Sequence, residues 1–301
     1  MNERQEICGV KNRQIKHCEQ LEVFPGIEIE FDSYAGDSVQ IRHEAFDYVL
    51  EINHCREGRI GWEMKSGEAV YLGKGDICIH SMDVCSVSNL TLPLKAYEGL
   101  TIYIDLKALE KSCPDILKEA GFDAKDIYRK FCVGGNTVAV PENSRIDTAL
   151  TPLYDVSEEM FVPYCKLKTQ EVLMFLVDME PDKEENLTRC VSAQAEQVKQ
   201  IHDFLVENAD KRFTIEELSR KYLINTSSLK SVFKMIYGMP VAAYMKDYRM
   251  KKAMKMLRET DDSVAEIAER VGYGTQGKFT KAFKESVKAL PTEYRKMYRQ
   301  Q

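Results

Sequence analysis

Between about Ile27 and Leu106 apolar and polar residues alternate with a period of two, the spacing that sets successive side chains on opposite faces of a strand. IEIEF (27–31), DYVLEI (47–52), AVYL (69–72), DICIHS (76–81) and GLTIYIDL (99–106) have strand-like lengths. Between them REGRIG, KSGE and GKGD supply the glycines of tight turns. Short strands at such close spacing predict a small β-barrel or sandwich over about residues 20–106. From about Lys107 to Glu180 the apolar period becomes helical. CPDILKEAGF predicts one short helix and residues 145–180 predict two. A stripe of Leu, Val, Met and Phe near Lys166–Met179 predicts a face that packs on the barrel or meets a second copy; periodicity does not separate the two. The polar stretch around 181–194 predicts an interdomain linker, and everything after it is helical.

The helical tail contains a repeat. FTIEELSRKYLINTSSLKSVFKMIYGMPVAAY (213–244) resembles DSVAEIAERVGYGTQGKFTKAFKESVKALPTEY (262–294). Leu229, Phe233, Lys234 and Tyr244 match Phe279, Phe283, Lys284 and Tyr294 at a constant offset of 50. Each copy predicts a short helix (Ile215–Tyr222; Val264–Val271), a tight turn and a second helix. Thr214 with Glu217, and Ser263 with Glu266, fit the S/T-x-x-E capping box that opens a helix. Leu218, Leu229 and Phe233 supply one internal core; Ile267, Ala268, Phe279 and Phe283 supply the other. This is the pattern of two helix-turn-helix units. The outward faces of the second helices carry Ser227, Ser228, Lys230, Ser231 and Lys234 in the first unit. In the second they carry Gln276, Lys278, Thr280, Lys281 and Lys284. Short donors and cations are what a helix needs to reach base edges and phosphates in the major groove of double-stranded DNA.

Residues 195–297 resemble the AraC/XylS family of bacterial regulators. The likeness is carried by Ile267-Ala268, Val271-Gly272-Tyr273, Phe279, Phe283-Lys284, Pro291 and Tyr294-Arg295. The connecting stretch 233–260 adds Gly238, Tyr244, Arg249, Ala253 and Leu257. The chain departs from the family at Val287-Lys288, where an aromatic-glycine pair is usual. It departs again at Gly277, Ser227 and Ser231, where longer side chains are common. The resemblance implies two recognition helices in successive major grooves, about 34 Å apart. It also implies a cupin-like N-terminal barrel that binds a small effector, helices that pair in a homodimer, contact with RNA polymerase and, most often in the family, activation of transcription. The expected class is α+β: a cupin-like β-barrel with following helices (1–180), then an all-α domain with two helix-turn-helix units (195–301).

Charge supports this division. Residues 195–301 carry 21 basic against 14 acidic side chains, a net of +7, whereas residues 1–194 carry 21 against 34, a net of −13. Only the second half therefore suits a polyanion. The nine cysteines are irregularly spaced with no C-x-x-C pair, which predicts reduced, mostly buried thiols rather than disulfides or a closed zinc site. No signal peptide or apolar span is evident, and a cytosolic protein is expected. The barrel region holds His43, His54 and His80 without a His-x-His pair, and no reactive-cysteine motif for methyl transfer is present. No metal, cofactor or enzyme activity is expected. Effector contacts are expected from inward-facing Tyr48, Ile52, Trp62, Met64, Tyr71 and Tyr103. The local acidity favours an apolar, neutral or cationic molecule. The alternative is a barrel that acts only as an interaction module in a constitutive or partner-controlled regulator.

Overall fold

Alternating strands build a layered first unit. The computed structural model describes residues 21–42, 46, 48–64, 67–82, 87–133, 137–142, 144–181, 187 and 189–299, and the chain divides into units 1–191 and 192–301. Strands β1 (Leu21–Phe24), β2 (Ile27–Ala35), β3 (Ser38–Arg42), β4 (Val49–Gly58), β5 (Ile60–Glu63) and β6 (Glu68–Leu72) come first. They are followed by β7 (Ile77–Ser81), β8 (Val87–Thr91) and β9 (Ala96–Asp105). Among the described residues one antiparallel sheet has the order β1-β2-β9-β4-β7-β10 and the other β11-β6-β5-β8-β3. The late strands β10 (Val138–Val140) and β11 (Cys190–Val191) close an edge of each. The strands thus form two facing sheets, and among the described residues no ladder joins them into a continuous barrel.

Strand alternation decides what each face meets. Ile27, Ile29 and Phe31 of β2, Leu50 and Ile52 of β4, and Leu100, Ile102 and Ile104 of β9 form one row. That row packs on the helices α1 (Leu106–Ser112), α2 (Asp115–Glu119), α3 (Ala124–Phe131), α4 (Arg145–Leu150) and α5 (Glu158–Asp178). Full burial of each Leu or Ile contributes about 1.5–3 kcal/mol, so this cluster is the main source of the unit's stability. Val172, Leu173, Leu176 and Met179, the apolar stripe of the sequence, lie in this core and not at the surface. A smaller cluster, including Ile60, Trp62, Val70, Leu90 and Tyr97, fills part of the space between the sheets.

Two expectations change. The region 107–180 is not purely helical, because Val138–Val140 pairs with β7 as a strand. Three residues are too few to show a period. Within the expected linker, Cys190–Val191 pairs with β6 and Ser192 already opens a helix; residues 182–186 and 188 lie outside the described residues. Of the cysteines, Cys8, Cys18 and Cys85 also lie outside them. The six others are free thiols, all buried except the half-buried Cys113. Burial pushes the Cys55 thiol up to about 12 and the Cys165 thiol up to about 11, so both stay protonated and pack as apolar groups.

The second unit is all helix: α6 (Ser192–Glu207), α7 (Ile215–Tyr222), α8 (Thr226–Tyr237), α9 (Val241–Glu259), α10 (Val264–Arg270), α11 (Gln276–Val287) and α12 (Pro291–Arg299). Both capping boxes are present, with Thr214 and Ser263 each accepting from the backbone N–H of its partner glutamate and each glutamate reaching back. Among the described residues no helix is long and apolar enough to cross a membrane.

Candidate functional site

The two helix pairs, α7–α8 and α10–α11, are built alike and differ at their turns. From C-cap to N-cap the second turn is two residues longer. In the first unit Leu223 ends α7 in the left-handed region (φ 52°) and Asn225 caps α8. In the second, Gly272 takes φ 77° and Thr275 caps α11. A β-carbon on Gly272 would lie 2.8 Å from the Asp210 carbonyl and 2.9 Å from that of Ala209, so only glycine lets the turn sit against the loop after α6. Arg249 of α9 binds the same loop, donating through Nε to the Ala209 carbonyl at 2.8 Å. The long helix, the first unit and the second turn are thereby tied together. Phe279 and Phe283 anchor α11 in a core with Ile267, Ala253, Leu257 and Tyr294. Leu229, Phe233 and Tyr237 bury the inner face of α8, where His202 of α6 stacks on Tyr237 and bonds the Tyr244 hydroxyl at 2.8 Å.

Burying the aromatic rows turns the predicted contact residues outward. Ser227, Lys230, Ser231 and Lys234 on α8 are exposed and Ser228 is half-buried; Gln276, Lys278, Lys281 and Lys284 on α11 are exposed and Thr280 is half-buried. None of the five lysines is ion-paired among the described residues, so their charge is available to an outside anion. Two serines are partly committed: Ser227 Oγ donates to Asn225 at 2.7 Å and Ser231 Oγ to the Ser228 carbonyl at 3.1 Å. Gly277 faces open space.

A cavity enclosing roughly 580 Å³, its open mouth included, lies between the two sheets of the first unit. One wall is apolar: Ile41, Ile60, Trp62 and Leu90, from β3, β5 and β8. The other is the polar row of the first sheet, which the ladder brings into line. Glu51 stands between His80 and Tyr103, and Thr101 pairs with Asn53 and with Glu30. Asn53 Nδ2 donates to Glu51 at 2.9 Å and to Thr101 Oγ1 at 3.2 Å, and its carbonyl lies 3.1 Å from His80 Nε2. Thr101 and Tyr34 then donate to the Asp32 carboxylate at 2.7 and 2.6 Å. Burial, with Glu30 and Glu51 nearby, pushes the Asp32 carboxyl up to about 7.

Of the expected effector residues, Trp62 and Tyr103 line this cavity. Met64 and Tyr71 are buried in the second sheet but do not line it. Ile52 points the other way, into the helix-side core, because it alternates with Glu51 and Asn53. Tyr48 is also displaced, stacked on Tyr128 at 3.9 Å in a left-handed backbone position. His43 lies outside the described residues. His54 and His80 stand on opposite faces of the first sheet, since His54 bonds Asp147 and Tyr154 of the helical layer, both at 2.9 Å. Burial holds the His54 imidazole below its usual range, only partly opposed by Asp147. Among the described residues no group of three or more metal-ligating side chains converges. Sequence reasoning missed Asp32, Glu51, Asn53 and Thr101, and weighed His80 only as a metal ligand. The signal for them was the polar half of each alternating strand, IEIEFD and LEIN, which faces the second sheet instead of solvent.

Residues 218–297 match the family described as a helix-turn-helix domain. Similar proteins include the HTH-type transcriptional activator RhaR of Mannheimia succiniciproducens, 32% identical over 94 residues, 31% of this chain and 34% of that protein. The melibiose operon regulatory protein of Escherichia coli is 26% identical over 103 residues, 34% of each chain. These matches span about a third of the relatives' length. An uncharacterised HTH-type transcriptional regulator of Haemophilus influenzae is 22% identical over 276 residues, 85% of this chain and 90% of that one. With two capped helix pairs, a shared connecting helix and this similarity, the second unit is a helix-turn-helix DNA-binding domain of the AraC/XylS type.

Proposed function

We propose that the protein is an effector-responsive regulator whose α8 and α11 enter successive major grooves of a promoter, while the cavity between the sheets receives a small molecule. The observation that carries the DNA reading is the set of five unpaired lysines flanking short polar side chains on two anchored helices. Lys230, Lys234, Lys278, Lys281 and Lys284 meet phosphates, and Gln276, Thr280 and the serines meet base edges or sugar oxygens. Displaced counterions then make affinity fall steeply with salt. The cavity supports the effector reading because it has an apolar wall and a converging polar wall. A ligand acts on transcription only through different affinities for two states of the protein. The exposed Met160, Val162 and Leu167 on α5 support pairing with a second copy.

The test uses a reporter driven by a promoter that the full chain binds, with wild type compared against Asp32→Asn and Glu51→Gln. Altered regulation at unchanged operator affinity in vitro is the expected result. Regulation identical to wild type in both variants would favour a constitutive or partner-controlled regulator.

A further inference from the structure

The two walls of the inter-sheet cavity specify more than a small molecule. We infer that this cavity binds a small amphipathic organic cation, its protonated amine set against Asp32 and Glu51 and its flat apolar body against Trp62, Ile60 and Leu90. The inference rests on the effector reading above and adds the chemical class.

Three observations carry it. Among the described residues the lining contains two carboxylates, one imidazole (His80) and no lysine or arginine. An anionic ligand would bring like charge into a partly desolvated site, which is strongly unfavourable. Next, Asp32 is nine-tenths buried, and its carboxylate is met by the Tyr34 and Thr101 hydroxyls and by no basic side chain. Burial first, then Glu30 and Glu51, raises the Asp32 carboxyl, and among the described residues no cationic side chain lowers it. A ligand ammonium supplies a positive charge and donates up to three hydrogen bonds, whereas a neutral hydroxyl supplies only the bond. Finally, the opposite wall is apolar and includes an indole, a surface suited to an aromatic or aliphatic body and to the cation's own attraction for a π face.

Trp62 is the chain's one tryptophan, so its emission reports occupancy directly. The purified full chain is titrated with 2-phenylethylamine, 2-phenylethanol and 3-phenylpropionate, which share a body and differ in charge. Wild type should show a saturable change with the amine at a dissociation constant at least tenfold below that of the alcohol, and no response to the acid. Asp32→Asn, with its fold checked by circular dichroism, should cut the amine's advantage to under threefold while leaving the alcohol's affinity unchanged. Glu51→Gln should weaken the amine in the same sense. Equal or tighter binding of the alcohol or the acid would overturn the assignment, as would an amine preference that survives both substitutions or silence from all three probes. Operator affinity measured in the same samples separates the two readings. A neutral probe that binds and shifts it leaves effector control standing without the cation; a carboxylate-dependent amine that binds and never shifts it does the reverse.

Discussion

Asp32 makes the stability of the first unit depend on pH in a direction opposite to that of an ion-paired carboxylate. Its folded carboxyl lies at about 7 against an ordinary 3.8, because burial and the neighbouring Glu30 and Glu51 penalise the charge more than Tyr34 and Thr101 relieve it. With the folded value raised, the native state holds the proton where the unfolded chain has lost it. Stability from this group is complete below about pH 4 and is lost as pH rises through about 7. At 1.36 kcal/mol per pH unit, the penalty grows by roughly 2–3 kcal/mol between pH 5 and pH 8, with a ceiling of roughly 4 kcal/mol. Asp32→Asn keeps the shape and removes the titration. Urea unfolding of wild type and variant, followed by Trp62 emission so that only the first unit is read, isolates the effect from Glu30, Glu51, His80 and the tyrosines facing the site. The variant should gain on wild type by roughly 2–3 kcal/mol more at pH 8 than at pH 5, or about 5–10 °C in melting temperature. A difference that is the same at both pH values would refute the reasoning.

Three further outcomes are expected in the second unit. Lys281→Glu, at an exposed site without an ion pair, should lower operator affinity at least tenfold in a gel shift at fixed salt while unfolding moves by less than about 0.5 kcal/mol; retained binding would exclude α11 as a reading helix. Lys288 ends α11 at φ 64°, where the first unit has Gly238 at φ 80°, so Lys288→Gly should stabilise the domain by about 0.5–1 kcal/mol in thermal unfolding followed by circular dichroism. A loss of stability would show that the cap is not strained. Gly272→Ala combines a left-handed backbone with two carbonyls under 3 Å from the new carbon, and should cost roughly 2–3 kcal/mol in the same measurement. A change within about 0.5 kcal/mol would mean that the loop after α6 simply yields.

The second unit was legible because its signals are local. Capping pairs, an apolar repeat at helical spacing and a repeated Phe-x-x-x-Phe-Lys or Leu-x-x-x-Phe-Lys motif each fix a helix without reference to distant residues. The main strands, β2, β4, β6, β7 and β9, were legible for the same reason. The second sheet was less so, since SVQIR, IGWE and VSNLT are short and half polar, and β10 and β11 are shorter still. The lining of the cavity was legible only in part, because aromatic and aliphatic strand residues were expected to face inward, as Trp62 and Tyr103 do. Helices cover one face of the first sheet, so the apolar row, Ile52 among it, is consumed there and the polar row faces inward. Which face a helix will cover depends on long-range packing that periodicity does not contain.

If α8 and α11 act as one reader held by α9, affinity must depend on the helical phase between their two binding sites. On a duplex whose two protected blocks have been located by footprinting with the full chain, about five base pairs, half a turn, are inserted between the blocks. Affinity should fall at least a hundredfold, down to what one helix pair achieves alone. Full affinity on the rephased duplex would contradict joint reading by the two helices.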